Sequence, residues 1–316
     1  MNNFNVLLFF LTIIFVILIF LCNIYFSNVK LFYKYYFWLP IGCFLLIYFL
    51  LVRWIPDLNN LIVNSSKNIS IQQHSVLWSK VLLLDMCPLS YVLLSISLIF
   101  DKSRTTTKIL CPITIIGGCI TIFSFLVNPP EDINTVSQIR YFFLGTETNR
   151  IYFMMHFLMV LFGLGLYLNT KTFTKYSLVG ELLFLVFFIV YVEIIVHCID
   201  IQSNASGMVQ GDWLWPNNIN GYWYSQYGFV YNLIPILFPG VVIFWYFIIF
   251  LIILLLLFIK NRFVKNKNKI SQINSYWHQK FKFCTRQLTL VDNWFDKVAN
   301  KLPQWLRTNY LNIIID

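Results

Sequence analysis

Residues 81–100, VLLLDMCPLSYVLLSISLIF, are the stretch that decides the fold, and they contain a single charged side chain, Asp85. A membrane-spanning helix needs about 20 mostly apolar residues, so this stretch predicts a helix that crosses a membrane. The composition of the whole chain agrees, because 59% of its 316 residues are hydrophobic and only 11% are charged. An ordinary soluble domain has about 25% charged residues, and the sequence therefore excludes one.

Six other stretches also qualify as spans, which predicts an all-α, polytopic transmembrane helix bundle of about seven spans. The predicted spans are 6–26, 36–52, 81–100, 109–127, 151–168, 178–198 and 233–259. The first lacks the positive residues and the A-x-A site of a signal peptide, so we expect it to be retained. Residues 1–259 thus form the predicted bundle, and residues 260–316 form a basic, aromatic-rich tail.

The distribution of Lys and Arg predicts the orientation, since cytoplasmic loops contain the excess of both. The tail at 260–316 has 11 of the 23 Lys and Arg residues, whereas the loop at 199–232 has none. The C-terminus is therefore predicted to be cytoplasmic and, with seven spans, the N-terminus outside. We expect the tail to lie on anionic lipid head groups and not on nucleic acid. A protein partner for the tail is the open alternative.

Five polar residues fall in one shallow layer at the outer side of this topology. Ionisable residues within spans are costly and mark functional sites by default. Asp85 and Cys87 lie some 6 to 9 Å below the outer boundary, and His156 about 8 Å below it, at about 1.5 Å per residue. Glu193 and His197 lie near the outer end of the sixth span. The inner halves of these spans have few polar residues, which argues against a transport path.

Cys87 and His156 are the predicted nucleophile and base, since a thiol becomes strongly nucleophilic when a base removes its proton. A packed cysteine and a structural histidine are the alternative interpretation. Glu193 and His197, four residues apart, share one helix face. Together with Asp85 they are the candidates for orienting the imidazole. The alternative for this pair is a structural contact between helices.

The same residues allow a second hypothesis, a catalytic zinc site. Together with His74 they supply imidazole and carboxylate ligands, of which a catalytic zinc needs three plus an open position. No H-x-x-x-H or H-E-x-x-H spacing is present. We therefore expect neither a metal nor a soluble cofactor, and a metal-dependent membrane hydrolase remains the alternative function.

The residues around Cys87 resemble those of a known family. Residues 83–90, LLDMCPLS, resemble the L-P-L-H-x-C segment of bacterial YwaF-type membrane proteins, which are related to transmembrane protein 164, an integral-membrane acyltransferase family. Residues 152–157, YFMMHF, are similar to the histidine segment that this family has two spans later. Asp85 stands where the family has histidine, and Leu83 where it has proline. The resemblance covers roughly residues 70–260.

The resemblance implies a multi-pass protein of the cell membrane, with Cys87 as the nucleophile and His156 as its partner. Such a pair would move a fatty acyl group from a glycerophospholipid to a lysolipid or to a lipoprotein amine through a thioester. A non-enzymatic lipid-binding or transport protein is the remaining alternative.

Overall fold

The computed structural model describes residues 10–18, 34–65, 71–127, 136–147, 150–169 and 175–199, together with isolated positions elsewhere. Within these segments every regular element is helical, and one isolated bridge pairs Gly145 with Arg150. The elements are 10–18 (α1), Tyr35–Phe49 (α2), a π-helical turn Leu50–Trp54, Ile55–Ser65 (α3), Ile71–Val81 (α4), Met86–Phe100 (α5), Thr105–Val127 (α6), Gln138–Leu144 (α7), Tyr152–Asn169 (α8) and Lys175–Ile199 (α9).

Three helical stretches in the described segments are long and apolar enough to cross a membrane, namely Tyr35–Ser65, His74–Phe100, which comprises α4 and α5, and Thr105–Ile122. Two shorter apolar helices, Tyr152–Tyr167 and Val179–Val192, follow them. All five overlap the second to sixth predicted spans. The prediction of an all-helical fold with membrane-length apolar helices is thus confirmed for the described segments. The seventh predicted span and the tail at 260–316 lie outside them.

The second span is longer than its hydropathy predicts. The sequence places its end at residue 52, but the helix continues through the π-helical turn into α3 and ends at Ser65. The backbone stays helical at both ends of the turn, with φ and ψ of −61° and −47° at Phe49 and at Ile55. Arg53, predicted to lie in a loop, therefore occupies a helix. Single π-helical turns within α-helices occur frequently at functional sites.

The third span is interrupted, whereas the sequence predicts one continuous helix from residue 81. Helix α4 ends at Val81, Leu83 adopts a left-handed conformation with φ of 55°, and α5 begins at Met86. Pro88 falls in the first turn of α5, where a helix needs no N–H donor. The proline thus follows the interruption instead of breaking a helix already formed.

Side chains from two other helices satisfy the carbonyl groups that this interruption leaves. Trp54 Nε1 donates to the Val81 carbonyl oxygen at 3.0 Å. The Tyr191 hydroxyl of α9 donates to the Leu82 carbonyl oxygen at 2.5 Å. An unsatisfied carbonyl is costly at membrane depth, so these two donors make the interruption tolerable.

Glycines allow the helix backbones to approach closely, as small residues do in membrane bundles. A Cβ at Gly118 of α6 would lie 2.7 Å from the backbone oxygen of His156 in α8. A Cβ at Gly163 of α8 would lie 2.6 Å from Thr114 Oγ1 of α6. Gly42 of α2 is in the same position against α5, where a Cβ would lie 2.9 Å from a backbone oxygen. Helices α2, α5, α6 and α8 therefore form one close-packed core.

Candidate functional site

Cys87 and His156 lie near the first residues of their helices and meet the same turn of α6. Cys87 is the second residue of α5, and His156 is the fifth residue of α8. A Cβ at Gly117 would lie 3.1 Å from Cys87 Sγ, and one at Gly118 would lie 2.7 Å from the His156 backbone oxygen. The structure thus brings both predicted residues to one glycine pair.

The imidazole of His156 is held in one orientation by its own helix. The side chain is buried, with 3% of its surface exposed. Nδ1 lies 2.5 Å from the Tyr152 carbonyl oxygen, and the two rings meet edge to face with centroids 5.0 Å apart. A carbonyl oxygen only accepts, so Nδ1 has the proton and Nε2 has the lone pair. A backbone carbonyl, which no sequence motif marks, therefore orients the imidazole at Nδ1.

The thiol of Cys87 is half-buried and contacts a hydroxyl group. Cys87 Sγ lies 3.9 Å from Thr121 Oγ1 of α6, one helical turn beyond the glycine pair. Within the described segments, the polar contacts of the thiol and the imidazole run to Thr121 and to Tyr152, and not to each other. The thiol and the imidazole therefore make no direct hydrogen bond in the described structure.

A buried ionic cluster, which the sequence analysis missed, lies at the same end of the bundle. The carboxylate of Asp57 is 5% exposed and faces two arginines, with Arg53 Nε 3.9 Å from Oδ2 and Arg150 Nε 3.4 Å from Oδ1. Lys80 and Asp85 lie within electrostatic range of Arg53, and Lys80 also of Asp57 and Arg150. We call these five residues the ionic cluster. Its signal in the sequence is the spacing of four between Arg53 and Asp57 at the end of an apolar run.

Arg53 connects the ionic cluster to the predicted pair. Its Nη1 donates to the Met155 sulfur at 3.4 Å, directly before His156 in α8. Its guanidinium also lies over the Phe49 ring, 5.7 Å from the ring centre. The charge of Arg53 acts on both Cys87 and His156. One cation is therefore near the thiol, the imidazole and the buried carboxylate.

Two residues with left-handed backbone conformations flank the site. Leu83 has φ of 55° and Ile151 has φ of 47°. Positive φ is uncommon for any residue other than glycine and rare for a β-branched one such as Ile151. The Ile151 N–H donates to the Leu144 carbonyl oxygen at 2.7 Å and folds the α7–α8 connection back on itself. This fold brings Arg150 to Asp57. Strained backbone of this kind clusters at functional sites.

The residues predicted to orient the imidazole or to bind a metal lie at separate places in the structure. Asp85 precedes α5 in an extended conformation, with φ of −98°, and belongs to the ionic cluster. Glu193 and His197 lie one turn apart in α9, and their side chains lie outside the described part of the structure. His74 packs edge-on against Trp78 within α4, with centroids 6.2 Å apart. Among the described residues, no three His, Cys, Asp or Glu side chains are arranged to bind a metal ion.

Comparisons with known proteins give a family and two relatives. A family model described as a family of unknown function (DUF5378) matches residues 10–287. The "Uncharacterized protein MG135" of Mycoplasma genitalium is 30% identical over 160 residues, 50% of this chain and 55% of the relative. The "Uncharacterized protein MG135 homolog" of Mycoplasma pneumoniae is 30% identical over 138 residues, 43% of this chain and 47% of the relative. The chain thus spans about half the length of these relatives, and no solved structure matches it.

Proposed function

Given that the chain belongs to the DUF5378 family, whose function is unknown, we propose its activity from the chemistry of the site. We propose an integral membrane lipid acyltransferase in which Cys87 and His156 move a fatty acyl group. The donor is a glycerophospholipid, and the acceptor is a lysolipid or a lipoprotein amine. The approach of the Cys87 thiol and of the His156 backbone to adjacent glycines of α6 supports this proposal.

One observation supports this proposal above the others. The Tyr152 carbonyl fixes the His156 proton on Nδ1, which leaves the basic lone pair on Nε2. This is the tautomer that a general base needs in order to take a proton from a thiol. Cys87 Sγ lies at Gly117 and the His156 backbone oxygen at Gly118 of the same α6 turn, and in the proposed mechanism the imidazole reaches the thiol when substrate binds. Catalytic hydrogen bonds are often long without substrate and shorten in its complex.

The reaction proceeds in two balanced steps. His156 Nε2 takes the proton of Cys87, and the thiolate attacks the carbonyl carbon of an acyl ester. The C–O bond breaks, the leaving lysolipid oxygen takes the proton from the imidazolium, and a thioester remains on Cys87. An acceptor hydroxyl or amine then gives its proton to Nε2 and attacks the thioester, which releases the Cys87 thiolate. The imidazolium reprotonates this thiolate, and no further reactant is required.

Other groups have supporting roles in this mechanism. The first amides of an α-helix have no helical carbonyl to bond, so the N–H groups of Met86 and Cys87 at the start of α5 are the candidate donors to the oxyanion. The Tyr152 carbonyl orients the imidazole. Glu193 and His197 keep the orienting role that the sequence predicts for them. Asp85 acts within the ionic cluster.

The proposal includes the finer topology derived from the sequence. We propose seven spans, an N-terminus outside, a cytoplasmic C-terminus and residence in the cell membrane. The N-termini of α5 and α8 then face the outer leaflet, which supplies the phospholipid. The basic tail lies on the anionic head groups of the inner leaflet.

Trapping of the thioester tests the activity. The full-length protein is placed in nanodiscs with radiolabelled phospholipid, and hydroxylamine-sensitive label on the peptide that contains residue 87 is measured. We expect label on the wild-type protein and none on Cys87→Ala. His156→Gln should slow acyl transfer by about 10²- to 10⁴-fold, which is the usual contribution of a general base. Cys119→Ser is the matched control, because it replaces a cysteine of α6 whose side chain is exposed, and it should retain full transfer.

The Cys87→Ala and His156→Gln proteins are first compared with the wild type by gel filtration in detergent, so that loss of activity is separated from loss of folding. Acyl transfer retained by a folded Cys87→Ala protein would contradict the proposal. So would label that appears on another residue of the folded wild-type protein.

A further inference from the structure

The Cys87 thiol lies against one face of α6, which contains Gly117 and Thr121. These two residues are four apart and therefore neighbours on that face, one helical turn from each other. A Cβ at Gly117 would lie 3.1 Å from Cys87 Sγ and 3.4 Å from Met159 Cε, so the glycine lets the thiol approach the backbone of α6. Thr121 Oγ1 lies 3.9 Å from the same sulfur. The packing of α5 on α6 thus holds a hydroxyl group beside the thiol.

The Thr121 hydroxyl differs from other hydroxyl groups of the bundle in what it contacts. Ser90, Ser95 and Thr114 each donate to a carbonyl oxygen three or four residues earlier in their own helix, at distances of 3.0, 2.8 and 2.8 Å. Serine and threonine side chains within helices commonly bond in this way. Among the described residues, the polar contact of Thr121 Oγ1 is instead Cys87 Sγ, on another helix. The hydroxyl is therefore directed at the sulfur and not at its own backbone.

Ionisation of the thiol makes this contact stronger. A neutral thiol is a weak donor and a weak acceptor, and either partner can then donate. A thiolate only accepts, so the Thr121 hydroxyl is the donor once Cys87 has lost its proton. Hydrogen bonds to an ionised acceptor are shorter and about twice as strong as bonds between neutral groups, and a bond to the charged form favours that form. The hydroxyl therefore stabilises the thiolate of Cys87 more than its thiol.

We infer that Thr121 is a further catalytic residue, whose hydroxyl donates a hydrogen bond to the Cys87 thiolate. The inference rests on the proposed function, since that function makes Cys87 the nucleophile. The thiol proton still passes to His156 Nε2, and the Thr121 hydroxyl keeps its own proton throughout. The same bond stabilises the thiolate when it leaves the thioester in the second step. This role explains why a hydroxyl group is placed beside the thiol before the imidazole reaches it.

The test measures how fast Cys87 of the full-length protein reacts with a small uncharged disulfide, bis(2-hydroxyethyl) disulfide, in a neutral detergent. The thiolate attacks one sulfur of the reagent, the S–S bond of the reagent breaks, and the thiolate of 2-mercaptoethanol leaves. Mass spectrometry of the peptide that contains residue 87 gives the rate. The rate is measured below and above the pH at which the thiol ionises, because the two ends of this profile respond differently to a lost hydrogen bond.

Thr121→Val is the diagnostic variant, since it removes the hydroxyl and keeps the shape of the side chain. Loss of one charge-assisted hydrogen bond should lower the fraction of thiolate at low pH about tenfold. A more basic thiolate is also more nucleophilic, with a Brønsted coefficient of about 0.4 to 0.5. We therefore expect Thr121→Val to react about three- to fourfold more slowly than the wild type at low pH and about threefold faster at high pH. A change in access to the thiol would instead move both ends in the same direction.

Three further proteins complete the experiment. Thr121→Ser keeps the hydroxyl and should recover most of the wild-type profile. Thr114→Val is the matched control and should react as the wild type does, because the Thr114 hydroxyl donates to the Cys111 carbonyl oxygen of its own helix. Thr121→Ala, with the same expected result as Thr121→Val, is the second variant in case Thr121→Val does not fold in gel filtration. Cys119, an exposed cysteine of α6, is the internal reference, and its rate should be the same in every protein.

The outcomes separate this inference from the proposed function. Identical profiles of the wild type and a folded Thr121→Val protein would overturn the inference, as would a change in the same direction at both ends or an equal change in Thr114→Val. Profiles that cross, without any Cys87 thioester in the wild type, would support the hydrogen bond from Thr121 to the thiolate and overturn the acyltransferase proposal. A thioester whose formation is undiminished in Thr121→Val would support the acyltransferase and overturn the catalytic role of Thr121.

Discussion

Replacement of Asp57 by Asn is the most informative perturbation of the ionic cluster, because one carboxylate faces two arginines. The two contacts are 3.4 and 3.9 Å long, which gives about 4 to 5 kcal/mol of gross attraction each at an effective dielectric constant of about 20. Desolvation of the charges offsets much of this attraction. Removal of the buried carboxylate takes from both arginines the carboxylate that they face, so we expect a loss of about 3 to 5 kcal/mol in the free energy of unfolding.

Thermal unfolding of the full-length protein in a mild detergent measures this loss. A loss of about 3 kcal/mol corresponds to a fall of about 6 °C or more in the unfolding temperature. Glu147→Gln is the matched control, since it neutralises an exposed carboxylate in the connection before Arg150. We expect the control to unfold within about 1 °C of the wild type, because exposed charges contribute little to stability.

Asp57→Glu separates charge from shape, since it keeps the carboxylate and lengthens the side chain by one methylene. We expect it to recover part of the stability that Asp57→Asn loses. An unfolding temperature for Asp57→Asn equal to that of the Glu147→Gln control would refute the reasoning. It would mean that Arg53 and Arg150 are solvated and that the cluster is not a buried ionic site.

Two further predictions concern packing and orientation. Gly118→Ala should lower the unfolding temperature by several degrees, because its Cβ would lie 2.7 Å from a backbone oxygen of α8. Gly165→Ala is the control, since the nearest atom to its Cβ would lie 3.7 Å away, at ordinary contact distance. Equal effects of the two substitutions would contradict the close approach of α6 and α8. Orientation is tested in intact cells that express a cysteine-free variant with a single cysteine introduced. A membrane-impermeant maleimide should label Glu147→Cys, in a predicted outside loop, and not Ser103→Cys, in a predicted cytoplasmic loop. The opposite pattern would show that the proposed topology is inverted.

Much of the fold could be predicted because hydrophobicity and length dominate it. The described helices overlap the second to sixth predicted spans, while the common depth of Cys87 and His156 that span arithmetic gives stays a prediction. The π-helical turn and the interruption after Val81 could not be predicted in this way. Each depends on the conformation of a few residues, such as the left-handed Leu83, which a hydropathy average over about 20 residues does not detect.

The ionic cluster could be predicted from the sequence only in part. Arg53 and Asp57, four residues apart, are recognisable as a pair on one helix face. Hydropathy ends the span at residue 52, however, and thus predicts a loop at both residues. The contact that makes the pair a buried site comes from Arg150, more than 90 residues later, and from the folded connection around Ile151. Long-range contacts of this kind leave no local pattern in a single sequence.

The long helix from Tyr35 to Ser65 also links the site to the thickness of the bilayer. At about 1.5 Å per residue, Arg53 lies about 27 Å along the helix from Tyr35, whereas the hydrocarbon core of a bilayer is about 30 Å thick. In the proposed topology this helix enters the membrane near Tyr35 and brings Arg53 to the opposite boundary, with α3 beyond it. In that topology, lipids with longer acyl chains would draw the cluster into hydrocarbon, and shorter chains would release it into the head-group layer. The acyl-chain length of the surrounding membrane would then set how well hydrated the site is.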